Sequence, residues 1–80
     1  MTVQEMYKQE AIAYGKNGNY HASVDALRMA HLPEDMYVFF LEKWARAAAK
    51  EGKYGEAIIL AERAGADVLD RILQMEVVDE

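Results

Sequence analysis

Cysteine is absent, and with it every disulfide or thiolate metal site that could reinforce a small core. Proline and tryptophan occur once each. Serine is equally scarce: Ser23 stands alone and outside any Gly-x-Ser-x-Gly elbow, which excludes the usual strand-to-helix serine nucleophile. The only histidines, His21 and His31, lie near opposite ends of one helical stretch and cannot share a metal there. No HExxH, zinc-finger, EF-hand or phosphate-loop spacing occurs, and the five glycines fit turns, close contacts and caps. The chain is therefore expected not to be an enzyme and to need no cofactor or metal.

Long apolar runs are missing too. No stretch of about 18 apolar residues exists, so no membrane span is expected. The opening Met1-Thr2-Val3-Gln4-Glu5 lacks the basic-then-apolar layout of a secretory leader, and the lack of cysteine suits a reducing compartment. The expected location is cytoplasmic, with Met1 as a native start. Basic charge is also in short supply, since the net charge is −5. Residues 1–64 hold eight basic and nine acidic side chains, whereas residues 65–80 hold one and five. Without a basic cluster, nucleic acid is not an expected partner.

What the chain does have is a period. Gly18 recurs as Gly52, Tyr20 as Tyr54 and Ala30 as Ala64, each after 34 residues. At the same offset Ala11 matches Ala45, Ala13 matches Ala47, Lys16 matches Lys50, Val24 matches Ile58 and Ser23 matches Ala57. Eight pairs at one interval mark an internal repeat.

Each copy reads as two helices. Thr2 and Glu5 form a capping box before Val3, Met6, Tyr7, Ala11 and Tyr14, which follow helical spacing. Asn17-Gly18-Asn19 breaks that helix, and Asn19 caps a second one running from about Tyr20 to His31. Pro33 fits the first turn of a third helix, with Glu34 and Asp35 at its positive dipole end. Gly52-Lys53 turns the chain into a fourth helix from Tyr54 to Ala64. Asp67 is placed to cap a fifth, from about Val68 to Val77, with Val68, Leu69, Ile72, Leu73 and Val77 as its apolar stripe. Ala11, Ala45 and Ala57 are expected to let helix axes approach, with Tyr20 and Tyr54 filling the space beside them.

This pattern resembles the tetratricopeptide repeat. The first copy carries it in Tyr7, Ala11, Tyr14, Gly18, Tyr20, Ser23, Leu27 and Ala30. The second carries it in Leu41, Trp44, Ala45, Ala48, Gly52, Tyr54, Ala57, Ala61 and Ala64. Departures are Glu10 at an apolar position, Ser23 at a usual alanine and a proline that comes early. Clathrin-like helical hairpins are the neighbouring alternative. The resemblance implies an all-α fold, an α-α superhelix of two helical hairpins closed by a fifth, capping helix. It implies one domain over residues 1–80, with repeats over about 4–33 and 38–66 and a cap over about 67–77.

The resemblance also implies a groove lined by the first helix of each pair. Projected onto this sequence, its partner-binding side chains are Lys8, Ile12 and Lys16, with Phe39, Lys43, Arg46 and Lys50 from the second copy. A weakly basic groove on an acidic chain points to a protein or peptide partner that is acidic or carboxylate-ended. The same residues also read as solvated helix faces with spaced ion pairs, such as Glu42 with Arg46. Some family members hold a carboxylate terminus in a Lys/Asn clamp. Here Ile12 stands where the asparagine belongs, so that activity is not expected. In the run Met36-Tyr37-Val38-Phe39-Phe40-Leu41, Tyr37, Phe40 and Leu41 read with Trp44 as core, and Phe39 as groove-facing. The expected function is a non-catalytic protein-interaction module. The alternatives are a small self-associating homo-oligomer, or a regulator or inhibitor of a larger protein of phage or plasmid type.

Overall fold

The computed structural model describes residues 1–75, and these are all-α. The helices are α1 (Val3–Lys16), α2 (Tyr20–Met29), α3 (Glu34–Lys50), α4 (Tyr54–Ala64) and α5 (Ala66–Leu73), with no strand among the described residues. The chain divides into two units, Met1–Tyr37 and Val38 onward. Each has its own interior.

In the first unit, α1 and α2 pack together as a hairpin. Thr2 Oγ1 accepts the Glu5 amide at 3.1 Å and so opens α1. Asn19 Oδ1 accepts the Ala22 amide at 3.3 Å and opens α2. Gln4 Nε2 donates to the His31 carbonyl at 3.3 Å, which ties the start of α1 to the residues that follow α2. Ala11, Tyr20, Ser23, Val24, Leu27 and Ala30 are buried. Ser23 sits in this interior without penalty because its hydroxyl donates to the Tyr20 carbonyl at 2.7 Å.

The second unit is built from α3, α4 and α5. Its interior comprises Leu41, Trp44, Ala45, Ala48 and Ala49 of α3, Ala57, Leu60 and Ala61 of α4, and Val68 and Ile72 of α5. Six of these ten are alanine or valine, so backbones rather than long side chains set the approach of the helices.

The turns after α1 and α3 are the same backbone motif. The Asn19 amide donates to the Tyr14 carbonyl at 2.9 Å and the Gly18 amide to Gly15 at 3.1 Å. Thirty-four residues on, Lys53 donates to Ala48 at 2.9 Å and Gly52 to Ala49 at 3.1 Å. This paired arrangement is the Schellman motif, which needs a left-handed residue at its centre. Gly18 and Gly52 supply it with φ of 77° and 79°. The sequence period is thus reproduced bond for bond in both turns.

Several expectations are corrected. Tyr54 does not fill an interior: it is 46% exposed, whereas Tyr20 is 2% exposed. The interior aromatic of the second unit is instead Trp44, at the position where the first copy carries the exposed Glu10. Val3, Met6 and Tyr14 are exposed, so Ala11 alone of the expected α1 stripe is buried, with Tyr7 half-buried. Tyr37 and Phe40 are half-buried rather than full core. The second helix ends at Met29 and not at His31, whose φ of 49° is left-handed. Pro33 bars the helix from continuing through this link in any case, because the residue before it, Leu32, is sterically disfavoured in helical geometry. Asp67 lies inside the first turn of α5 and does not cap it; Gly65 occupies the cap with a φ of 125°. There Asp67 still meets the positive end of the helix dipole. On α5, Val68 and Ile72 are buried, Leu69 is half-buried and Leu73 is exposed. Val77 and the acidic tail lie outside the described residues.

Candidate functional site

The seven residues projected from the sequence fall on two helices. Lys8, Ile12 and Lys16 recur at intervals of four along α1, so they share one face of it. Lys8 and Ile12 are half-buried and Lys16 is exposed. Phe39, Lys43, Arg46 and Lys50 recur at intervals of four, three and four along α3 and likewise form one stripe. The first set belongs to the first unit and the second set to the second.

The α3 stripe has a defined geometry. Phe39, Glu42, Lys43 and Arg46 line a shallow depression of about 260 Å³. The Phe39 side is apolar and open: the residue is 62% exposed. Its ring stands edge-on to Phe40, with centroids 5.7 Å apart and planes at 76°. Phe40 in turn lies 5.6 Å from Trp44. Such contacts contribute beyond simple area burial. A line of three rings therefore runs from the exposed Phe39 to the buried Trp44.

The polar side is organised by Glu42. Arg46 donates to Glu42 Oε2 from Nη2 at 2.9 Å and from Nε at 3.3 Å, the pair expected from their spacing along α3. Arg71 of α5 reaches the same carboxylate as a two-pronged fork, Nε to Oε2 at 3.0 Å and Nη2 to Oε1 at 2.8 Å. The hydrogen bond from Arg71, then that from Arg46, hold the Glu42 carboxyl well below the usual range, at about 2. The same contact, with the charge of Asp67 behind it, raises Arg71. Arg71 was not among the residues singled out by sequence. Nothing in a linear pattern links positions 42 and 71, and only the fold of the second unit brings them together.

A pH dependence follows. Glu42 is depressed in the folded state, so its contribution to stability is present above the unfolded carboxylate value, near 4.5, and is lost as pH falls through about 2. Glu42→Gln should lower the denaturation midpoint at pH 7, and the difference from the parent should shrink below about pH 4. Both guanidinium side chains are roughly half exposed, which limits the effect to at most about 1 kcal/mol. Urea titrations followed by circular dichroism at pH 7 and pH 3 measure it. A deficit of equal size at both values would show that the carboxylate charge is not what matters.

Two further depressions lie in the first unit, one lined by Val3, Met6, Tyr7 and Glu10 and the other by Asp25, Arg28, Met29 and His31. Neither combines an aromatic ring with a row of cations. Among the described residues no cluster of three His, Asp or Glu side chains is arranged to hold a metal ion. No helix among them is long and apolar enough to cross a membrane. The chain matches no family model, no curated protein and no solved structure.

Proposed function

We propose that this chain is a non-catalytic protein-interaction module, related to the tetratricopeptide repeat, and that the outer stripe of α3 is a docking face for a protein or peptide partner. The observation that carries this reading is Phe39, a large ring left 62% exposed and edge-on to Phe40, beside the cations Lys43, Arg46 and Lys50. An aromatic side chain offers a large contact area with only two rotatable bonds to fix on binding. The stripe of Lys8, Ile12 and Lys16 on α1 repeats the alternation of cation and apolar side chain and is proposed as a docking face in its own right. A cytoplasmic location is part of the same proposal.

The test places a photo-cross-linking side chain at exposed position 50, at the end of the α3 stripe, in the full chain and, as a control, at exposed position 62 on α4. In extracts of the source cells, position 50 should yield a discrete adduct that position 62 does not. Lys43→Glu combined with Arg46→Glu should remove that adduct while leaving the far-ultraviolet helical signal unchanged. Adducts that are identical at both positions, or that survive the double substitution, would reject the face.

A second reading draws on Val3 and Met6, which are both exposed on α1. They favour self-association through the first unit. Sedimentation of Val3→Ser with Met6→Ser should then show a smaller species than the parent at equal concentration, and a parent already monomeric at high concentration excludes it.

A further inference from the structure

The Glu42 cluster is unbalanced in charge. One carboxylate faces two guanidinium groups, and the two are not held alike. Arg71 takes both carboxylate oxygens in a parallel fork, the strongest geometry available to such a pair, and has Asp67 nearby as well. Arg46 has only Oε2, which it shares with Arg71. Glu42 is thus already matched by Arg71, and the charge of Arg46 is in surplus. Arg46 remains 42% exposed along its side chain. Lys43 is exposed beside it, and Lys50 lies one turn further on. Neither lysine has an ion-pair partner among the described residues. On a chain of net charge −5, this stretch of α3 is a local positive field next to an exposed ring.

Taking the α3 stripe as the docking face, as proposed above, we propose that it receives an acidic peptide: a carboxylate is held between Arg46 and Lys43, and an adjoining apolar side chain lies on the Phe39 ring. Glu42 stays with Arg71 throughout and acts as a built-in competitor for Arg46. The incoming carboxylate replaces the shared Oε2 contact and leaves the fork to Arg71 intact. Lys50 lies where a second carboxylate, one helical turn along, would be met. Arginine at position 46 matters for its planar, two-pronged donor edge, which lysine does not offer.

The probe is a fluorescein-labelled hexapeptide of alternating leucine and glutamate, blocked at both ends, titrated against the full chain and read by anisotropy. A second peptide replaces every glutamate by glutamine. The acidic probe should bind, and the glutamine peptide should bind at least about tenfold more weakly. Arg46→Gln, Arg46→Lys and Phe39→Ala should each weaken the acidic probe, Arg46→Gln by about tenfold. Glu42→Gln should strengthen it by more than Glu34→Gln, which makes the same change of net charge at the exposed start of α3 and controls for general attraction. Equal affinity for the two peptides overturns the proposal. So does an Arg46→Gln variant that binds like the parent, or a Glu42→Gln gain no larger than that of Glu34→Gln. If the acidic probe fails while the position-50 adduct forms and depends on Lys43 and Arg46, the anionic occupant is rejected and the docking face stands. If both fail, the face falls with it.

Discussion

Trp44→Ala is expected to cost about 3–5 kcal/mol, the range for removing a large aromatic side chain from an interior. The residue is 5% exposed and packs against Phe40. The interior around it is mostly alanine and valine, and small residues have no side chain to swing into the void. The deleted volume therefore stays as a cavity, and the cost belongs toward the upper end of the range. A chain of this length has a total stability of only about 4–12 kcal/mol, so the loss is a large share of it. The midpoint of thermal unfolding should fall by more than about 10 °C. Trp44→Phe keeps a ring against Phe40 and should cost clearly less. Circular dichroism, which does not need the lost indole, measures both. An alanine variant that melts within a few degrees of the parent would mean the second unit is not organised around this side chain.

Leu27→Ala tests the other unit in the same way. Leu27 is fully buried, and no larger buried side chain in the first unit is as completely enclosed. The expected cost is about 2–5 kcal/mol. Leu27→Met, which nearly conserves volume, should cost less than about 1.5 kcal/mol. Urea denaturation of the three proteins compares them directly, and a change of midpoint without a change of slope assigns the loss to the native packing. If alanine and methionine are equally mild, the site is roomy and not close-packed. Alanine already occupies the matching position of the second copy, Ala61, which is buried as well. The two copies thus solve the same packing problem with different partners, and Leu27 cannot be shortened merely because its counterpart is short.

How much of this was legible in the residues depends on the range of the interaction concerned. Most local backbone signals read well, with Asp67, which does not cap α5, and the early end of α2 as the exceptions. Thr2, Asn19, Gly18 and Gly52 act within a few residues of themselves, and each does in the fold what its chemistry implies. Burial read less well. Tyr20 and Tyr54 are the same residue at the same repeat position, yet one is enclosed and the other open, because enclosure depends on side chains far away in sequence. Helical spacing marked Val3, Met6 and Tyr14 as apolar without revealing whether anything covers them. The candidate site was legible as a stripe, since Phe39, Lys43, Arg46 and Lys50 share a helix face by arithmetic alone. Its electrostatics were not. The Glu42–Arg46 pair follows from spacing of four, but the Arg71 fork joins positions 29 residues apart and rests on the placement of α5.

The two Schellman turns have one more consequence. Their paired bonds run from main-chain donors to main-chain acceptors, and the only side-chain requirement at their centres is that there be none. The shape of both turns can therefore persist while the letters around the two glycines change, because bonds between main-chain atoms ask little of the side chains beside them.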